Sequence, residues 1–139
     1  MQYWIFISYP YSDFNYGTIK EIFGDSAHPI KWLIGEHTRF KKRLRADDKV
    51  LFYQAGEVEK KIVASGALRS DLRTDEKQRD YVLVGDIELF VTPLLIKKIL
   101  GYLSFVKDVK HWGIYFQGGI TKIQEKDYKL ILRKAKIAQ

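Results

Sequence analysis

The densest chemical signal in the chain is a run of cations: Arg39, Lys41, Lys42, Arg43 and Arg45 place five positive charges within seven residues. Such a run can neutralise several phosphates at once, and release of the counterions of about four of them would give a log–log salt slope of roughly −3.6. It equally suits a solvated helix face. The second signal is aromatic. Tyr9, Trp32, Tyr53, Trp112 and Tyr115 stand at the ends of expected strands, beside polar residues. Flat π-faces with a nearby donor can hold an unstacked base, at about 1–3 kcal/mol per base, although each ring taken alone also suits a core.

Other chemistries have less to stand on. The chain has no G-x-S-x-G, H-E-x-x-H, P-loop or G-x-G-x-x-G pattern, so no catalytic residue is assigned. His28, His37 and His111 are dispersed, and there is no cysteine. Neither a metal site nor a thiolate nucleophile is therefore expected, and no cofactor. Asp47-Asp48 reads as a turn rather than as a paired acid and base. The absence of cysteine fits a reducing compartment, and the expected location is cytoplasmic. The apolar run Tyr3 to Ile7 is too short for a signal sequence, and Lys97 and Lys98 interrupt the greasiest stretch, Pro93 to Leu103, so no membrane partner is expected. With 24 Lys and Arg against 17 acids, the net charge of +7 biases encounter toward polyanions.

The 139 residues show no repeat or linker and are expected to form one domain, 1–139. Strands are expected at Tyr3–Ile7, Ile30–Ile34, Lys49–Tyr53, Ile62–Arg69, Tyr81–Thr92 and Trp112–Phe116, the last ended by Gly118-Gly119. In Tyr81–Thr92 the odd-numbered apolar residues should face inward, against Asp86 and Glu88. Asp13 can cap a helix to Phe23, and Phe40 and Leu44 at i and i+4 suggest one over Thr38–Leu44. Another should follow Pro93, carrying Leu95, Ile96, Ile99, Leu100 and Leu103, and a last one spans Glu125–Lys136. Ser70 to Asp80 is almost wholly polar and reads as an exposed, mobile loop. Strands and peripheral helices in no regular βαβ order predict an α+β fold or a small, partly open barrel.

Against this background, Tyr3-Trp4-Ile5-Phe6-Ile7-Ser8-Tyr9-Pro10 resembles the Y-W-L-F-K-S-E-P opening of EVE-domain proteins. Trp32 followed by Gly35 and a basic segment is similar to that family's W-x-G-V element. Lys49–Tyr53 resembles its D-L-V-L-F-Y strand and Ile62–Gly66 its I-V-G-I-A strand. Lys110–Phe116 running on to Glu125–Ile131 looks like small archaeal members of the group. The resemblance implies a PUA-like pseudo-barrel of five to six mostly antiparallel strands with peripheral helices, related to YTH and ASCH domains. It implies a nucleic-acid partner, RNA or DNA, with a flipped base, plain or modified, held in an aromatic pocket. That pocket would comprise Ser8, Tyr9, Trp32, Gly35, Tyr53, Trp112 and Tyr115. Arg39, Lys41, Lys42, Arg43, Arg45 and Lys110 would hold phosphates. Three departures stand out: Ile7 replaces the family's lysine, Ala46-Asp47-Asp48 replaces its K-x-G-D turn, and the 70–80 segment lacks the cage aromatic of YTH domains. Two other readings remain, a small ASCH-like amidohydrolase using Glu36, Thr38 and Lys41, and a protein-interaction module.

Overall fold

A computed structural model describes residues 1–9, 29–55 and 60–138, with side chains through 135. The expected helix from Asp13 to Phe23 and the 56–59 turn lie outside the described residues. Strands β1 (Tyr3–Ser8), β2 (Ile30–Ile34), β3 (Lys49–Gln54), β4 (Lys61–Leu68), β5 (Arg73–Thr74), β6 (Asp80–Leu95) and β7 (Ile120–Ile123) form one sheet in the order β2-β6-β4-β3-β1-β7, with β5 on β6. All pairings are antiparallel except β1 with β3. With helix α1 (Glu125–Ala138) on one side, this is the mostly antiparallel, curled α+β sheet expected of a PUA-like pseudo-barrel.

The sheet has a core on each face, and strand parity assigns residues to them. Trp4, Phe6, Val50 and Phe52 join Trp32, Ile34, Val82, Val84 and Ile120 in the first core. Ile5, Ile7, Leu51 and Tyr53 join Phe90, Leu94, Ile99, Leu103, Phe116 and Ile131 in the second, beneath α1. This explains why β1 and β3 read as unbroken apolar runs: both faces are buried. The two edge strands meet at the first core, which takes Trp32 and Ile34 of β2 and Ile120 of β7, while Ile123 at the far end of β7 enters the second.

β6 departs from the expected parity. Val82 and Val84 are buried, whereas Leu89 and Val91 are exposed. Asp86 adopts φ 51°, and between the pairs Ala67↔Gly85 and Ser65↔Glu88 the strand gains one residue. This bulge reverses which face each parity serves. Upstream, the even positions Val82 and Val84 enter the first core; downstream, Ile87 packs on the first core while Phe90 and Leu94 enter the second.

Three local expectations, two helices and one strand, are corrected. Over Thr38–Leu44 only a 3₁₀ turn forms, Lys41–Arg43, because Phe40 takes the left-handed φ of 67° and the bonds Arg43 N to Phe40 O and Leu44 N to Lys41 O are of the i→i+3 kind. After Pro93, β6 continues to Leu95 and gives way to two 3₁₀ turns, Ile96–Lys98 and Leu100–Tyr102, rather than a helix. Pro93 sits in the irregular stretch between the paired Leu89 and Leu94, where its missing N–H breaks no regular ladder. Trp112–Phe116 is not a strand but part of a 3₁₀ segment, Val109–Phe116, kinked at His111. The i, i+4 pair Trp112 and Phe116 meets edge to face at 6.0 Å against the second core. The strand lies after the glycines, at Ile120–Ile123, and α1 forms as expected.

The polar 70–80 segment is organised by its own side chains. Ser70 Oγ accepts from Leu83 N at 2.9 Å, and Asp75 accepts from Lys31 Nζ at 2.7 Å, Arg79 Nε at 3.0 Å and the Lys77 and Arg79 amides at 2.9 and 2.8 Å. These donors, Lys31 first, hold the Asp75 carboxyl well below the ordinary carboxylate range. Asp127 ties α1 down: it accepts from Ser104 Oγ at 2.6 Å, Ser104 N at 2.8 Å and Gln124 N at 3.3 Å.

A second buried carboxylate is Asp48, only 2% exposed. Its carboxylate accepts from Gln2 N (2.9 Å), Gln2 Nε2 (3.1 Å), Trp4 Nε1 (2.9 Å) and Arg45 N (3.1 Å). Asp48→Ala should lower unfolding free energy in urea by roughly 3 kcal/mol, because the buried Trp4 indole N–H is then orphaned, and Asp48→Asn should lose less. A depressed folded pKa means that the Asp75 contribution is complete above the unfolded value near 4 and disappears as pH falls through the folded value. Asp75→Asn should therefore lower the thermal midpoint at pH 7, with the gap to the parent protein narrowing steadily from pH 4 toward pH 2.

Candidate functional site

The sheet does not close between β2 and β7, and a cavity of about 410 Å³ occupies that seam. Its walls come from the end of β1 (Ile7, Tyr9), from β2 and the following turn (Trp32 to Thr38), and from Gly118, Gly119 and Ile120 at the start of β7. The lining is largely apolar, with Thr38, Glu36 and His37 supplying polar groups. That composition and size fall within the usual range for a small-molecule pocket.

The local sequence builds the seam. Gly118 and Gly119 both have positive φ, 86° and 88°, a pair of left-handed residues that few other types would tolerate. They turn the chain so that Gly119 O accepts from Ile7 N at 2.8 Å and β7 can start against β1. Across the gap, Thr38 stands between the two edges. A Cβ on Gly35 would lie 3.1 Å from Thr38 Oγ1, and one on Gly119 would lie 3.7 Å from it. A larger residue at either glycine would crowd the mouth.

Of the expected pocket residues, the cavity brings together Tyr9, Trp32 and Gly35. Tyr9 is the accessible ring, 39% exposed, and burial raises its phenol pKa against the opposing effect of the Gly118 and Gly119 amides. Trp32 is 1% exposed and packs on Phe6 and Phe52, with centroids 6.0 and 5.1 Å away, so it forms a wall from within the core. Ser8 is buried at the end of β1 and outside the lining; its carbonyl accepts from Ala55 N at 2.9 Å. Tyr53, Trp112 and Tyr115 stand in or against the second core, on the other face of the sheet. Tyr53 stacks on Phe116 at 4.8 Å and 15°, and burial pushes its phenol pKa up; Tyr115 Oη accepts from Asp108 N at 3.0 Å. Tyr53 shares the face of Ile5 and of its register partner Ile7 rather than that of Trp4; Ile7, near the end of β1, reaches the cavity and Tyr53 does not.

The cations divide similarly. Arg39, next in sequence to the cavity-lining Thr38, and Arg43 hold their guanidinium groups 4.6 and 4.8 Å from the centre of the Phe40 ring. Lys42 is exposed. Lys41 donates to Asp80 and to the Glu36 carbonyl, both at 2.6 Å, and this contact lowers the Asp80 pKa. Arg45 donates to the Lys42 and Leu44 carbonyls at 2.7 and 2.9 Å. Lys110 lies in the 3₁₀ segment with Trp112 and is not among the residues that line the cavity. The trio considered for hydrolysis is not assembled: Lys41 is committed to Asp80, and the Glu36 side chain is 87% exposed. No group of His, Asp and Glu among the described residues could hold a metal ion, and no helix among them is long and apolar enough to cross a membrane. The sequence reading missed Ile7, Ile120 and the glycine pair as cavity walls; two consecutive glycines next to an apolar strand were the available signal.

Solved structures share this architecture. The human THYN1 protein in complex with 5-methylcytosine containing DNA superposes with a TM-score of 0.73 at 11% identity, over 97% of this chain and 98% of that one. A protein from Rhodopseudomonas palustris, Rpa0253, gives 0.72 at 15% identity over 100% and 96% of the two chains, and one from Leishmania major gives 0.71 at 16% over 100% and 97%. At such identities the likeness establishes the fold alone. No curated protein sequence matches significantly. The EVE domain pattern matches residues 2–134, nearly the whole chain, and the protein belongs to the EVE domain family.

Proposed function

We propose that the chain is a nucleic-acid-binding domain, for RNA or DNA, that takes one everted base, plain or modified, into the seam cavity. The observation that carries this reading is the apolar cavity of about 410 Å³ at the open edge of the sheet, with Arg39, Lys42 and Arg43 following directly on the residues that form its wall. Tyr9 would cover the base, Trp32 and Ile120 would form the floor, and Gly35 and Gly119 would leave room for it. The human relative solved with 5-methylcytosine DNA supports a ligand of the same class. A methyl group on the base would find apolar walls, adding about 0.8 kcal/mol if buried, enough for a few-fold preference. The guanidinium groups beside Phe40 would fix register on phosphates without reading sequence. Nothing in the arrangement calls for turnover of the bound base.

Trp32 is unsuitable for testing the pocket, because removing so deeply buried an indole should cost about 3–5 kcal/mol of stability. Tyr9, partly exposed, is the better position. Tyr9→Ala should weaken binding of oligonucleotides carrying a mismatched or modified base by about tenfold or more, with the salt slope unchanged. Equal affinity of the variant and the parent protein across plain and modified oligonucleotides, in fluorescence anisotropy, would overturn the assignment.

A further inference from the structure

The formal charge of +7 is not shared along the chain. Residues 96–139 hold ten Lys and Arg against three acids, whereas residues 1–95 hold fourteen of each. The entire excess therefore belongs to the C-terminal third, which forms the 3₁₀ turns, β7 and α1. In the denser basic run at residues 39–45, Lys41 is paired with Asp80, and two further carboxylates lie beside the run, Asp48 accepting from the Arg45 amide and Asp71 from the Ala46 amide.

We infer that the face formed by α1 and the turns at Ile96–Tyr102 is a second nucleic-acid-binding surface, one that grips phosphates and is separate from the seam cavity. Lys126 and Arg133, two turns apart on α1, line a shallow concavity with Leu130 and the chain from Gly101 to Ser104. Lys97 and Lys98 are exposed on the preceding turn. Among the described residues, no carboxylate pairs with any of these four cations, while Lys129 is answered by Glu125 at 2.9 Å. Asp127 also borders the concavity, but its two oxygens are occupied by Ser104 and the Gln124 amide. Tyr102, 63% exposed, carries the Lys134 ammonium 4.6 Å from its ring centre, so an accessible π-face lies among the cations. A surface of unpaired cations with an open aromatic ring matches a nucleic-acid strand better than an acidic protein, whose carboxylates gain nothing from the ring.

The two regions can serve one strand. β7 starts at the cavity with Ile120 and ends at Ile123, about 10 Å further on, two residues before α1, and Lys122 is exposed between them. The surface does not need the cavity to hold a base, so the test uses plain oligonucleotides. In the double variant Lys126→Gln, Arg133→Gln, both altered side chains are exposed, and the thermal midpoint should not move. Loss of two phosphate contacts should flatten the log–log salt slope by about 1.4 on single strands or about 1.8 on duplex, and the same flattening should persist in the Tyr9→Ala background. An unchanged slope in the folded double variant would overturn the inference. So would binding of polyglutamate of matched charge as tightly as the oligonucleotide.

Discussion

Asp48 holds the basic turn to the sheet. Its carboxylate receives the first backbone amide of the chain's ordered start, the indole of a core tryptophan and the amide of Arg45, while its own carbonyl accepts from Leu68 N at 2.8 Å. The start of β1 and the turn at Arg45 thus share one small anion, and the backbone of the same residue ties in the end of β4. A buried carboxylate survives in such a place only when each lone pair is used, and here four donors converge on its two oxygens. The position of Arg39–Arg45 relative to β1, and so to the seam, follows from that convergence more than from any helix propensity in the run itself.

The seam is a second constraint, inherited from the curl. β2 and the start of β7 both bury apolar side chains in the first core without pairing, and the gap left between them is not a hydrogen-bonded ladder. Glycines at 35, 118 and 119 keep side chains out of it, and Thr38 fills only part of the space. A cavity there is what remains when an almost closed sheet lacks one pairing.

Much of this was legible in the residues. Unbroken β-branched and aromatic runs identified β1 to β4, and the acidic first turn with a periodic apolar face identified α1. What failed did so for local reasons. Phe40 and Asp86 take positive φ without being glycine, so nothing in the sequence marks the broken helix or the bulged strand. Trp112 to Phe116 alternates like a strand yet packs as a turn, because Trp112 and Phe116 at i, i+4 meet the same core. The site was half legible. Tyr9, Trp32 and Gly35 were identifiable by position, but the assignment of Tyr53 needed the face of β3, which an apolar run buried on both sides conceals. The balance of charge between the two parts of the chain was present in the sequence throughout, hidden by the density of the run at 39–45.

The bulge at Asp86 gives β6 an unusual standing. One continuous strand contributes Val82 and Val84 to the first core and Phe90 and Leu94 to the second. Where β1 and β3 join the two layers by alternation, β6 joins them by crossing from one to the other, so that melting one layer should pull on the strand that packs the other. Denaturation should be all-or-none even though the hydrophobic interior is split in two.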